Sequence, residues 1–295
     1  MFDMTGTIDM HVHTGPDLFP RLGDDAEIAR GCASVGMSGM AVKCHFEGTA
    51  VRAHLVNQMV PGFTMYGGIT LNYPVGGINP TAVHACLALG GKVVWMPSGH
   101  SGYHAEITGT LGGWGNDFMR MRNPEGATGL SVLDEAGELT DDARQVVRLV
   151  AETDSLLATS HLSPLEILAV LDDAATVGAR TMVNHVMYMP DCDYDFIEEV
   201  VRRGAMVEVC SVLVSGFWDK LDLDNVVQIF DRVGAENVVL ASDGGGIQTP
   251  SPHESLRVLL DNLLHQGVPE EHLRRTVVDN PRQLLGLSDT TEAAR

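Results

Sequence analysis

No apolar run among the 295 residues reaches the ~18–20 residues that a helical membrane span needs, so no membrane partner is expected. Basic residues are scarce: Lys+Arg 19 stand against Asp+Glu 39, a formal charge of −20. A field of that sign repels phosphate backbones and argues against general nucleic-acid binding. Cysteine is sparse and odd in number, and Cys32, Cys44, Cys86, Cys192 and Cys210 form no C-x-x-C pair. That spacing speaks against both a disulfide framework and a cysteine zinc site. The opening Met1-Phe2-Asp3-Met4-Thr5 has neither a basic n-region nor an apolar h-region, which with reduced thiols points to the cytoplasm. A glycine-rich phosphate turn is missing too. After the first strand pattern the chain reads Thr14-Gly15-Pro16-Asp17, which disfavours an open doubly wound sheet.

What is present is a repeat of short β-branched runs followed by longer amphipathic stretches. Strands are predicted at 7–13, 39–45, 64–71, 92–97, 155–161, 180–185, 205–209 and 237–241. Helix starts are legible at Thr49, at Asn79-Pro80, at the capping box Ser163-Pro164-Leu165-Glu166, and at Asn280-Pro281 before 282–287. Eight strand–helix units in this length predict an α/β fold, a single (β/α)8 TIM barrel over 1–295. One connection is far longer than the rest. Residues 98–139, rich in glycine and carrying Trp114, Phe118, Met119 and Met121 beside Arg120 and Arg122, leave a strand end where barrel active sites lie. They are expected to form a lid, with an ordinary surface insertion as the alternative.

Period-two alternation decides which strand residues meet inside the barrel. Ile8, Met10 and Val12 share one face of the first strand, while Asp9, His11 and His13 share the other. Lys43 and His45 are inward on the second strand by the same rule. The fifth strand ends at His161, the sixth at His185, and the eighth runs into Asp243. The loop after the fourth adds His100 and His104, with Glu106 close by. Imidazoles and a carboxylate converging on one barrel mouth make a site for zinc, iron, manganese or a similar divalent ion. The candidate ligands are His11, His13, His45, His104, His161, His185 and Asp243, and Lys43 and Glu106 are the candidate catalytic residues. Lys43 can be a carboxylated ligand, a proton donor, an anion anchor or a lysine paired with a carboxylate. Asp9 is expected to orient a histidine rather than bind an ion. His54, His84, His253, His265 and His272 are expected to lie apart from the site. Glu208 faces the barrel if the register of the seventh strand holds. Met96, Met187 and Met189 can line an apolar pocket, and Gly244-Gly245-Gly246 lets backbone approach the site closely.

His11-Val12-His13, His161, His185 and Ser242-Asp243 resemble, in order and strand number, the ligand set of the amidohydrolase superfamily of metal-dependent TIM barrels. The closing Asn280-Pro281-Arg282-Gln283-Leu284-Leu285-Gly286-Leu287 is similar to the tail common there. The resemblance covers nearly the whole chain and implies a mononuclear or binuclear metal centre. One departure stands out. The superfamily's bridging lysine or glutamate on strand four has no counterpart in Val93-Val94-Trp95-Met96-Pro97-Ser98.

Asp9-Met10-His11-Val12-His13-Thr14-Gly15-Pro16-Asp17, Lys43-Cys44-His45, the 67–80 stretch and Val94-Trp95-Met96-Pro97 also resemble a bacterial branch of that superfamily. The branch includes the nonheme diiron monooxygenase of platensimycin and platencin biosynthesis, which acts on a diterpenoid. That resemblance implies two iron ions, molecular oxygen, an electron donor and a small carboxylic-acid substrate or its acyl-CoA. Arg21, Arg120, Arg122 and Lys220 could offset the acidic field for a CoA phosphate, but scattered surface charge is the stronger reading of them. The imidazole-rich ligand set suits iron at least as well as zinc. The alternative is a binuclear zinc or manganese hydrolase of an amide, ester or lactone, with Asp243 as base and His185 polarising a carbonyl. A homo-oligomer is compatible with both, and a catalytically silent ligand-binding barrel is the third reading.

Overall fold

The computed structural model describes residues 1–114, 121–215 and 220–287. Its strands follow the predicted order: β1 (Ile8–Val12), β2 (Gly39–Val42), β3 (Thr64–Tyr66), β4 (Gly68–Thr70), β5 (Val93–Trp95), β6 (Leu156–Ala158), β7 (Arg180–Val183), β8 (Met206–Cys210) and β9 (Val238–Ala241). All neighbours pair in parallel, as β1-β2-β3 and as β4 through β9 in sequence order. Gly67 alone separates β3 from β4, so the two are halves of one stave. A Cβ at Gly67 would lie 2.6 Å from the Ala50 Cα, which is why the break carries glycine. The ring closes between last and first strands, where the His13 amide donates to the Gly244 carbonyl (2.8 Å) and the Asp243 amide to the His11 carbonyl (2.9 Å). Eight parallel staves closed on themselves are the expected TIM barrel.

Around the barrel run α1 (Asp25–Ser34), α2 (Ala50–Met59), α3 (Pro80–Ala88), α4 (Gly102–Thr108), α5 (Asp141–Glu152), α6 (Pro164–Val177), α7 (Tyr194–Arg202), α8 (Ser211–Val214), α9 (Leu223–Val233) and α10 (Pro252–His265). The apolar strand face does what its pattern requires: Ile8, Met10 and Val12 are buried, as are Val146, Val147 and Val150 on the facing stripe of α5. Each such side chain contributes about 1.5–3 kcal/mol by leaving water. Among the described residues no helix is long and apolar enough to cross a membrane.

The helix starts divide into two groups. Asn79 accepts from the Thr81 and Ala82 amides, and Ser163 with Glu166 forms the expected capping box. Thr49 does not cap α2 with its side chain. Its hydroxyl instead donates to the Val42 carbonyl (2.9 Å) and accepts from the Gly68 amide (2.8 Å), tying two staves together. Asn280 heads the expected short last helix, Asn280–Leu284, but does not cap it, because the chain is already helical from 270 onward. Its amide donates to the Ala235 and Val238 carbonyls and closes the barrel floor.

Two loops at the C-terminal mouth are pinned by Arg52 on α2. Its guanidinium donates twice to Asp25 (2.7 and 2.8 Å), once to Glu47 (2.8 Å), and to the Thr14 and Pro16 carbonyls (both 3.2 Å). Arg52→Ala leaves the buried Asp25 carboxylate without its cation and is expected to destabilise the fold by about 3 kcal/mol, read as a lower denaturation midpoint.

In its described parts the 98–139 segment is more ordered than a plain loop. It contains α4, and Gly129 packs so closely on Gly102 that a Cβ there would lie 2.1 Å from the Gly102 Cα. Its return is anchored by Glu166, whose carboxylate accepts from the Ser131 hydroxyl (2.8 Å) and the Val132 amide (3.1 Å). Met121 is buried and Arg122 exposed, while Phe118, Met119 and Arg120 lie outside the described residues.

Candidate metal centre

The barrel mouth gathers the imidazoles that alternation turned inward. His11 and His13 come from the end of β1, His45 follows β2, His104 sits on α4, and His161, His185 and Asp243 follow β6, β7 and β9. All six histidines and Lys43 are buried, while the Asp243 side chain keeps 22% exposure. Ring centroids run in a chain: His45 to His13 at 4.9 Å, His13 to His11 at 5.3 Å, His11 to His185 at 5.3 Å, His185 to His161 at 4.8 Å, and His161 to His104 at 4.8 Å. The register of β1 against β2 shifts between Asp9 and Val12, an irregularity that simple alternation did not foresee, yet both histidines still face the mouth.

Two of these positions, His185 (φ 34°) and Asp243 (φ 50°), sit in left-handed backbone, as does Ser160 (φ 50°) beside His161. Non-glycine residues seldom adopt it, and such strain concentrates where geometry serves function. Gly245 meets the opposite demand, since a Cβ there would lie 1.8 Å from the His13 carbonyl oxygen. The glycine run therefore allows the expected close approach.

Electrostatics and hydrogen bonds fix which atoms are free. Burial, then the Arg21 charge, lowers His13 to about 3, so its imidazole is neutral. Its Nδ1–H donates to the Lys43 carbonyl at 2.8 Å, which leaves Nε2 as a bare lone pair. That lone pair stands 3.1 Å from Asp243 Oδ1. His11 Nδ1–H donates to Glu208 Oε2 at 3.1 Å, so the Nε2 of a neutral His11 is bare as well, 3.3 Å from the same Oδ1 and without a hydrogen-bond partner. The Asp243 carboxyl is held far below the ordinary range: burial opposes ionisation, and positive charge or a hydrogen on the His11 and His13 side outweighs it, a part that a bound cation takes over once both rings are neutral.

Two imidazole lone pairs and a carboxylate oxygen thus face one another in a buried site. Three acceptors at such distances repel unless a proton or a metal ion lies among them. Spacings near 3 Å also suit neighbouring donors bonded at ~2.1 Å to one ion. His185, lowered to about 3 by burial and then Lys43, brings a donor atom within 4.8 Å of those of His11 and Asp243, and among the described residues its buried Nδ1 has no hydrogen-bond partner. The residues present fit a divalent ion held by His11, His185 and Asp243, with His13 Nε2 beside the same carboxylate oxygen.

A second group lies across the mouth. His104 Nε2–H donates to the Gly113 carbonyl (2.8 Å), so its Nδ1 accepts from His161 Nδ1–H (2.8 Å) and His161 Nε2 is left free. His104 therefore stands behind His161, with both nitrogens already engaged. His45 is held by Ser98 (3.0 Å), and Asn72 binds Ser98 Oγ and the His45 carbonyl (both 2.9 Å). Burial above all lowers His45 and His161 well below the usual histidine range. Trp114 closes over this side, 4.7 Å from the His45 ring and 5.4 Å from that of His104.

The remaining expectations sort plainly. Lys43 lines the cavity; burial lowers its pKa against the opposing pull of Asp243 and Glu208. Glu106 is a correction. It is exposed on α4, two residues from buried His104 and thus on another side of the helix, so it takes no part in the site. His54, His84, His265 and His272 are exposed and His253 is half-buried, all apart from the cluster as expected. Asp9 accepts from the His11 and Ser242 amides and, chiefly through burial, is raised to about 6. Asn72, Ser98 and Asn184 were missed, for a lone amide or hydroxyl past a strand end carries no periodic signal. A cavity of about 100 Å³ opens beside the cluster, walled by Phe19, Arg21, Lys43, Trp114 and Ile247.

Neutral burial of the histidines has a measurable cost in acid. The unfolded chain takes up their protons below ~6.5, whereas folded His13 and His185 do so only near 3. Stability of metal-free protein is therefore complete above ~6.5 and falls toward 3 by about 1.4 kcal/mol per pH unit per histidine. Urea unfolding at pH 7.5 and pH 5.5 should show a lower midpoint at the acidic value.

A family model described as "Family of unknown function (DUF6282)" matches residues 6–208. No curated protein sequence matches the chain. Solved structures share its fold at low identity. An amidohydrolase from Pseudomonas aeruginosa superposes with TM-score 0.63 at 13% identity, covering 95% of each chain. An organophosphorus hydrolase from Deinococcus radiodurans gives 0.61 at 15%, covering 96% of this chain and 93% of its own. A putative 2-pyrone-4,6-dicarboxylic acid hydrolase from Pseudomonas putida gives 0.56 at 14%, covering 97% and 99%.

Proposed function

Because the chain belongs to the family of unknown function DUF6282, its reading comes from the site itself, and we propose that it is a metal-dependent hydrolase of an ester, lactone or amide. The observation that carries this is the set of facing lone pairs on His11, His13 and Asp243 at the barrel mouth. The hydrolase names of the structural neighbours support it over other barrel chemistries. A divalent ion bound there supplies Lewis acidity and lowers the pKa of water. Asp243, ionised and lining the cavity, accepts the proton of the attacking water. Lys43, buried in the cavity wall, stabilises the charge that develops on the substrate oxygen. Phe19 and Trp114 pack against the substrate body and exclude water, with the 98–139 segment as lid.

A second reading, the diiron monooxygenase of a carboxylic acid or its acyl-CoA, is favoured by one feature: imidazoles outnumber carboxylates in the cluster. Elemental analysis of protein purified without added metal, with turnover assayed under nitrogen, separates the two. Zinc or manganese with ester or lactone hydrolysis under nitrogen is the expected result. Iron together with substrate-dependent oxygen uptake, and no hydrolysis under nitrogen, would overturn the hydrolase.

A further inference from the structure

Glu208, in the middle of β8, lies beneath the cluster and is completely buried. One of its oxygens carries every contact. Oε2 accepts from His11 Nδ1 (3.1 Å), from Asn184 Nδ2 (3.0 Å), from the His185 amide (3.2 Å) and from the Cys210 thiol (3.3 Å), while Oε1 has no partner. Glu208, Cys210 and His11 bring donor atoms close enough to hold an ion themselves. Four hydrogens already converge on Oε2, however, and a cation among them would meet positive charge from every side. The same oxygen reaches two staves of the mouth at once, through the His11 ring on β1 and the His185 backbone after β7.

We propose that Glu208 is a positioning residue: it fixes His11 in the Nδ1–H tautomer so that Nε2 points at Asp243, and it holds His185 in its left-handed turn by the backbone. Without that acceptor the His11 imidazole is free to move its proton to Nε2, where it would donate to Asp243 and close the site to an ion. A carboxylate behind a ligating histidine raises the basicity of the ring, and loss of such a partner costs ~10–100-fold in metal affinity. Only the affinity part of the proposal rests on the reading of the cluster as a metal site. The tautomer belongs to the metal-free protein, so the two can fail separately.

The test is nitrogen-15 NMR of the imidazoles in metal-free full-length protein, with His11→Gln used to identify the His11 signal. The expected result is a protonated Nδ1 at His11 in the wild-type chain, and an unprotonated Nδ1 on Glu208→Leu. Zinc titration in competition with a chelator should show affinity ~10–100-fold lower in Glu208→Leu, with Glu208→Gln, whose amide oxygen can still accept, recovering part of it. Near-ultraviolet circular dichroism reports whether each variant is folded. An unprotonated His11 Nδ1 in the wild-type chain would overturn the proposal without any variant. So would a folded Glu208→Leu that keeps the Nδ1 proton, whether it retains wild-type affinity or loses an ion outright, the latter making Glu208 a ligand.

Discussion

Replacing Asp243 with alanine is expected to cost most of the bound metal and to lower kcat/KM by ~10³-fold or more. Asp243 Oδ1 is the atom that faces both His11 Nε2 (3.3 Å) and His13 Nε2 (3.1 Å), and the carboxylate lines the cavity. One substitution removes a negative donor and the proposed proton acceptor together, and interactions worth several kcal/mol in the transition state correspond to that factor. Asp243→Asn separates the roles. The amide keeps the shape but not the charge, so metal content should fall less than activity. Elemental analysis and turnover on the same preparations check both, and an Asp243→Ala chain with wild-type metal content would remove this residue from the site.

The second large effect concerns the opposite side of the mouth. His161→Ala is expected to abolish binding of any ion held there and to lower kcat/KM by ~10²–10³-fold, whereas His104→Ala should cost only the ~10–100-fold typical of an outer partner. The ordering follows from the hydrogen-bond chain in which Gly113 fixes His104 and His104 in turn frees His161 Nε2. Metal stoichiometry and turnover of the two variants, measured side by side, decide it. Equal losses would mean that His104 binds the ion directly.

The sequence pattern made the barrel legible because parallel staves bury both faces and repeat with their helices at a readable spacing. The positions of His11, His13, Lys43 and His45 followed from alternation alone, since a one-residue step decides the face of a strand. Glu106 misled because its surroundings were taken for a loop. On α4 a two-residue step from His104 turns it out to solvent. Asn72, Ser98 and Asn184 were invisible for a different reason, because their value lies in partners 24 to 53 residues away on other staves. Thr49 and Asn280 carried sound capping signals that tertiary partners outbid: each side chain ties staves or barrel floor instead. The distinction between a histidine that can take an ion and one that supports it depends on the hydrogen bond at the other ring nitrogen. No residue spacing encodes that.

The most direct measurement is zinc binding by chelator-stripped protein at pH 7.5, followed by isothermal calorimetry in the wild-type chain and in His11→Ala/His13→Ala. Facing lone pairs at the mouth predict tight uptake of at least one ion per chain by the wild type, and none at that site once both imidazoles are gone. Wild-type protein that takes up no zinc, or a double variant that binds it as tightly as the wild type, would contradict the metal centre.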